Sequence, residues 1–212
     1  MTTTEADIVE LDRIAVQESL RVVASARPQD WDRDTPCAGW TLRRLVAHMT
    51  AQHQGFAAAA RGAGAEAAHW REPAARPGDP GRTYRSAVTT VLAAFAEPGV
   101  TEREFDLPEL AGSFPGRIAV GFHFIDYVVH AWDVAASLGI ALELPGSVLE
   151  AASAVARRVP ADPALRGPGF AFAPALDVPP GSDPLVEALR LLGRDQDTWP
   201  SAHRRQRPGA PA

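Results

Sequence analysis

The run GRIAVGFHFIDYVVHAWDVAASLG, from Gly116 to Gly139, constrains this chain more than any other part of it. It has room for about six turns of helix, contains no proline and ends on a glycine, the usual residue just past a helix end. The run is apolar nearly all round, so a helix made from it must be wrapped by other elements and lie at the centre of the fold. Into that apolar surface are set His123, Asp126, His130 and Asp133. A buried carboxylate is costly unless a cation or hydrogen-bond donors hold it. The central helix therefore needs partners for its acids as well as for its apolar faces.

Three further segments can wrap it. From Glu5 to Ala26, Ile8, Leu11, Ile14 or Ala15, and Leu20 or Val22 recur at helical steps until Pro28 stops the run. Thr41 is a good N-cap for TLRRLVAHMTAQHQGFAAAARG, where Leu42, Leu45, Val46, Met49 and Phe56 keep a helical spacing up to Gly62. Residues 62–81, rich in Ala, Gly and Pro, read as a long loop. A third helix is expected over Arg82–Ala96, with Tyr84, Val88, Val91, Leu92 and Phe95 inward. Residues 97–115 hold Pro98, Pro108 and Pro115 and read as an irregular connector. Two weaker helices follow, at about residues 147–158 and 184–192, with the proline-rich piece GFAFAPALDVPP, read as extended, between them. No alternation of strands and helices and no internal repeat is visible. The expected fold is mainly all-α: a four-helix bundle over residues 1–142, a small C-terminal extension over 143–203 packed on it, and a disordered tail over 204–212.

Composition narrows the function classes. Hydrophobic residues make up 46% and charged residues 22%, ordinary values for a soluble globular chain. There is no uninterrupted apolar run of about 18 residues, so no membrane partner is expected. The N-terminal residues lack the basic, apolar, small-residue order of a signal peptide. A single cysteine, Cys37, allows no intrachain disulfide and fits a reducing cytoplasm. The net charge is −5 and the arginines are dispersed, apart from Arg204, Arg205 and Arg207 in the tail, so no nucleic acid partner is expected. The partner left is a small molecule, and both a monomer and a homodimer fit.

Chemistry concentrates on two helices. Asp126 and His130 are four residues apart, which stacks their side chains on adjacent turns about 5 to 6 Å apart at Cβ. A carboxylate and an imidazole so placed can share one ion. His48, among Leu45, Val46 and Met49 on the second helix, can complete a three-ligand site with open positions, the arrangement of a catalytic metal centre. Mixed nitrogen and oxygen ligands suit zinc, nickel, iron or manganese. The bland alternative is a hydrogen-bonded core histidine and an ordinary helix pair. Gln52, one turn after His48, can line the open side of the ion. Trp132 reads as a core or pocket-wall residue beside a bound cosubstrate, with Trp40, Phe56 and Phe122 as further lining. Asp133 can hydrogen-bond a ligand imidazole. His123 is a fourth ligand, a catalytic acid/base or a core residue, and His53 points off the His48 stripe and reads as surface. Cys37 precedes a helix, where amide dipoles can lower a thiol pKa.

The run TPCAGWTLRRLVAHMTAQHQGFAAAARG together with DYVVHAWDVAASLG resembles the mycothiol-dependent maleylpyruvate isomerase family. The closing GRDQDTWP resembles the end of an actinobacterial subgroup described as metal-binding. The resemblance implies a DinB-like four-helix bundle in which His48, Asp126 and His130 hold a divalent ion, most often zinc. The isomerase has Glu where this chain has Asp126, a chemically equivalent departure. Members use the metal to bind and ionise a low-molecular-weight thiol, typically mycothiol, as cosubstrate, and the thiolate attacks an electrophile. A coordinated thiol is ionised at neutral pH, which makes that chemistry sound.

The resemblance also marks differences. The isomerase carries a separate C-terminal domain that contributes an arginine, whereas only residues 143–212 follow the bundle here. No equivalent arginine is identifiable from the sequence. Arg82 and Arg85 can bind an anionic substrate or simply face solvent, and maleylpyruvate itself is not the expected substrate. Three functions stay open: a metal-dependent thiol S-transferase or thiol-assisted isomerase acting on a small electrophilic metabolite; a thiol-independent Lewis-acid isomerase or cyclase with His123 as proton carrier; and a metal- or small-ligand-binding protein without turnover.

Overall fold

The computed structural model describes residues 7–37, 39–73, 79–167, 172–197 and 199. The tail expected over 204–212 lies outside them. The described residues form six α-helices and one hairpin: α1 (Ile8–Ala24), α2 (Leu42–Ala60), α3 (Pro80–Phe95), β1 (Glu104–Leu107), β2 (Gly112–Pro115), α4 (Gly116–Leu138), α5 (Gly146–Ala156) and α6 (Pro184–Leu191). Among the described residues no helix is long and apolar enough to cross a membrane.

Local chemistry sets the helix starts. Asp7, Thr41, Asp79 and Asp183 each accept a backbone N–H of the first turn of α1, α2, α3 and α6. Inside the bundle α1 packs on α4 and α2 on α3. α4 is the central helix its composition demands: Val120, Phe124, Tyr127, Val128, Ala131 and Val134 are fully buried. Burial of this apolar surface is the main favourable term of the fold.

The connector between α3 and α4 is more ordered than its prolines suggest. Residues 104–115 form an antiparallel hairpin, with Glu104 opposite Pro115 and Leu107 opposite Gly112. Phe105 and Leu107 alternate into the core while Glu104 and Asp106 face out. Gly116 starts α4 against this hairpin, and a Cβ there would clash with the carbonyl oxygen of Val100.

A chain of polar side chains runs through the apolar interior and takes a member from each bundle helix. Ser19 (α1) spends its only proton on the Val16 carbonyl at 2.7 Å. The Tyr84 hydroxyl (α3) therefore donates to Ser19 Oγ at 2.6 Å and accepts from His53 Nε2 (α2) at 3.3 Å. His53 Nδ1 then accepts from His123 Nε2 (α4) at 3.0 Å, and His123 Nδ1 meets Asp12 Oδ1 (α1) at 2.6 Å. Burial, and then His123 beside it, hold the His53 pKa well below the usual histidine range, as a neutral link requires. Burial raises the Asp12 carboxyl against the pull of His123. Among the described residues Asp12 Oδ2 is the one buried side-chain polar atom without a partner.

This chain corrects the reading of His53 as a surface residue: it is fully buried. Leu45, Met49, His53 and Phe56 follow one another at steps of four, four and three, so His53 lies on the inward stripe of α2.

Beyond the bundle, α5 and α6 pack on each other, and α5 leans on α4 and α1. Ala188, Leu189 and Leu192 are fully buried. The two C-terminal helices form where helical spacing placed them. Residues 172–180 of the proline-rich piece adopt no regular strand, because most of its backbone N–H groups find no ladder partner in a segment broken by Pro174, Pro179 and Pro180.

Candidate metal centre

Three side chains converge where α2 crosses α4. His48, Asp126 and His130 each offer a ligand atom, and these atoms all lie within 4.8 Å of one another. The helical repeat of α4 stacks Asp126 below His130, with Asp126 Oδ1 3.3 Å from His130 Nε2. The His48 and His130 rings meet edge to face with centroids 5.5 Å apart. Trp40, in the turn before α2, packs its ring 5.0 Å from that of His48, and Arg44 lies over the indole at 4.8 Å.

The protonation state of His48 suits a metal ligand, and that of His130 has to change when an ion binds. Burial, and then the charge of His130, push the His48 pKa down to about 4, so its imidazole is a neutral donor at neutral pH. Burial opposes charge on His130 too, but Asp126, Asp133 and Cys37 together outweigh it and hold the ring well above the usual histidine range. His130 Nδ1–H donates to Asp133 Oδ2 at 2.9 Å, which turns Nε2 toward Asp126 and His48. The side chain of Asp126 keeps 25% of its surface in solvent, so the cluster is open on one side. Two nitrogens and one carboxylate oxygen with an open face fit a catalytic divalent ion of the zinc class.

The rim of the site comes from elements that lie far apart in sequence. Gln52 Nε2 donates to both carboxylate oxygens of Glu109, each at 3.1 Å, which ties the hairpin turn to α2. Burial raises the Glu109 carboxyl, and the charges of Asp126 and Glu72 raise it further. Glu72 Oε1 stands 4.0 Å from His48 Nδ1. Behind His130 lies a second group. The Cys37 thiol donates to Asp133 Oδ2 at 3.1 Å, and the Arg194 guanidinium reaches both, with Nη2 3.0 Å from Asp133 Oδ2 and 3.3 Å from Cys37 Sγ. Burial, and then Asp133, push the Cys37 thiol up. It is therefore a protonated donor, not the activated thiolate that a helix N-terminus alone suggests.

Against the sequence reading, the structure brings His48, Asp126 and His130 together and sets Gln52 at their rim. Asp133 bonds the His130 imidazole. His123 sits in the buried chain between Asp12 and His53 with both ring nitrogens engaged. Trp132 is only 2% exposed and belongs to the apolar core. Of the four aromatic residues considered as pocket lining, Trp40 has the ring contact with the cluster, while Phe56 meets Trp70 and His123 edge to face and Phe122 meets Phe114 in the same way. Arg82 and Arg85 line a separate cavity of about 270 Å³ with Val23, Trp31 and Asp79. Sequence reasoning missed Glu109, Glu72 and Arg194, whose places depend on tertiary packing. The one local signal is Gly193, a helix-ending glycine just before Arg194.

Comparisons with known proteins find relatives of this chain in sequence and in fold. Two uncharacterized proteins of Mycobacterium tuberculosis, MT0763 of strain CDC 1551 / Oshkosh and Rv0738 of strain ATCC 25618 / H37Rv, are each 31% identical over 173 residues, covering 82% of this chain and 90% of the relative. A crystal structure of the mycothiol-dependent maleylpyruvate isomerase superposes with a TM-score of 0.54 at 14% identity, and one of a mutant of it with 0.55 at 15%. Each match covers 70% of this chain and 68% of the other and establishes the shared DinB-like helical fold. The family model of the mycothiol maleylpyruvate isomerase N-terminal domain matches residues 13–135, from within α1 through His48, Asp126, His130 and Asp133, and the chain belongs to that family.

Proposed function

We propose that the chain is a metal-dependent enzyme that uses a low-molecular-weight thiol of the mycothiol class to isomerise or conjugate a small electrophilic metabolite. The observation that carries this reading is the convergence of His48, Asp126 and His130 with the far nitrogen of His130 locked by Asp133. A divalent ion on these three groups supplies the positive charge that ionises a thiol at neutral pH. His48 presents a neutral imidazole, Asp126 offsets part of the charge, and the Asp133 hydrogen bond keeps the His130 ring from turning away. The solvent-facing side of Asp126 leaves space for the thiol sulfur.

The proton of the incoming thiol needs an acceptor. Glu109 is suited to it, because burial and the neighbouring carboxylates raise its affinity for a proton while Gln52 fixes its position. Addition of the thiolate to a conjugated double bond leaves a rotatable single bond, and expulsion of the thiolate then yields the isomer. Cys37 is not assigned the nucleophile, since it is held protonated against Asp133. The family membership supports the thiol, and the names of the solved relatives support isomerisation.

The test is to load the full-length chain with cobalt and titrate mycothiol. A shift of the visible spectrum and a near-ultraviolet thiolate-to-cobalt band are expected, together with thiol-dependent turnover of conjugated electrophiles. A cobalt spectrum indifferent to thiols, with turnover that needs none, would move the assignment to Lewis-acid chemistry.

A further inference from the structure

Arg194 follows α6, far along the chain from the ligands, yet the residue is only 8% exposed and its guanidinium reaches Asp133 and Cys37 behind His130. The local fold explains how it arrives. The α6 helix ends in a complete Schellman turn: Gly193 N–H donates to the Arg190 carbonyl at 3.1 Å and Arg194 N–H to the Leu189 carbonyl at 2.8 Å. Gly193 has φ +78, and a Cβ there would stand 2.6 Å from Ala173 Cβ. Glycine thus lets the chain reverse against residue 173 and send Arg194 back toward α4.

Every nitrogen of the guanidinium is then used. Nε lies 3.1 Å from Asp133 Oδ1 and Nη2 3.0 Å from Asp133 Oδ2, a two-pronged grip on the carboxylate. Nη2 also faces Cys37 Sγ at 3.3 Å, and Nη1 donates to the Leu192 carbonyl at 3.3 Å. Asp133 is fully buried and is the acceptor for His130 Nδ1–H. A buried carboxylate stripped of its cation is left uncompensated and turns to find other donors. That turn removes the acceptor that orients His130.

Cys37, His130 and Asp133 also form a second group whose ligand atoms lie within 4.8 Å of one another. It uses the opposite nitrogen of the same imidazole. Arg194 touches two of its three members, so a cation already stands in that group.

We propose that Arg194 is a positioning residue for the metal centre: through Asp133 it holds the His130 ring with Nε2 toward the ion, and its guanidinium closes the Cys37–His130–Asp133 group to a second ion. This inference rests on the metal reading given above. It gives the C-terminal extension a stated task, because the folding of α5 and α6 delivers the cation on which the ligand geometry depends. Metal binding and docking of the extension are then coupled, and each strengthens the other by the same factor.

The experiment compares full-length wild type with Arg194→Gln, Arg194→Lys and Asp133→Asn in cobalt titrations followed by absorption and by competition with a chelator. Arg194→Gln is expected to bind the first cobalt about 10- to 100-fold more weakly. It should also gain a thiolate-to-cobalt band from Cys37 that Cys37→Ser in the same background abolishes. Arg194→Lys should recover part of the affinity, since it restores the charge without the fork. As a readout that needs no variant to fold, hydrogen exchange of residues 184–197 in wild type should slow when cobalt is added. An Arg194→Gln chain with wild-type affinity and spectrum, or exchange that cobalt leaves unchanged, overturns this inference alone. A wild-type chain that takes up no cobalt overturns the metal reading and this inference together.

Discussion

Metal uptake should release one proton near neutral pH, not two. With its pKa pushed down to about 4, His48 has no proton to lose at pH 7. His130 is different: Asp126, Asp133 and Cys37 outweigh its burial and hold it well above the ordinary value, so it is an imidazolium with Nε2–H toward Asp126 Oδ1 at 3.3 Å. An ion on Nε2 must displace that proton. Because the pKa is raised, protons compete at neutral pH, and affinity falls as pH falls. One competing proton makes the binding constant change about tenfold per pH unit, or about 1.4 kcal/mol. Between pH 6 and pH 8 the gain is therefore about 100-fold. Competition with a chromophoric chelator of known pH dependence, at fixed ionic strength, measures it. Proton release into a weakly buffered indicator dye gives the stoichiometry independently. A slope near two would mean that His48 is protonated as well, and a slope near zero would mean that the ion does not bind through His130 Nε2. Asp133→Asn should flatten the slope toward the alkaline end, since it removes one of the carboxylates that retain the proton.

Three further outcomes follow from the same geometry. Tyr84→Phe deletes the hydroxyl between Ser19 and His53 and leaves a buried His53 N–H unpaired, so chemical denaturation should show a loss of about 1–3 kcal/mol with unchanged metal content. In chelator-treated protein, His48 has its folded pKa below the unfolded value near 6.5, so its stability contribution is whole above that value and lost as pH falls toward 4. Wild type should thus lose up to about 3 kcal/mol more than His48→Gln over that window, and parallel curves would count against the buried neutral imidazole. Glu109→Gln should leave metal affinity within about twofold, a mere rim effect, while thiol-dependent turnover falls about 100-fold, the usual loss with a proton acceptor. Equal losses of metal and turnover would make Glu109 structural.

Much of this molecule was legible in its sequence where the signal is periodic. Leu42 to Phe56 repeat at helical spacing, Gly116 to Gly139 run apolar and without a proline, and Thr41 and Gly139 punctuate them, so α2 and α4 are legible in the residues themselves. The pairing of Asp126 with His130 is equally local, since a four-residue step is a geometric statement about a helix. His48 needed the bundle to meet them, and spacing alone left a core histidine as a fair alternative. The hairpin over 104–115 was hidden because four-residue strands flanked by Pro108 and Pro115 resemble a loop. His53 lies off the His48 stripe, but its step of four from Met49 turns it inward. Glu109 carries no sequence signal of its role, and Arg194 has only the helix-ending Gly193 before it. The partner of the first is on another helix, and that of the second is Asp133, which lies 61 residues away along the chain.

The measurement that bears most directly on the metal centre is the stoichiometry of bound divalent metal in wild type and in His48→Ala, Asp126→Ala and His130→Ala, purified without chelators and checked for folding by circular dichroism. About one ion per wild-type chain, held weakly or not at all by each of the three folded variants, is the expected result. Full metal content in any of the three, or a folded wild-type chain that binds no ion when zinc is supplied, would contradict a metal centre built from these residues.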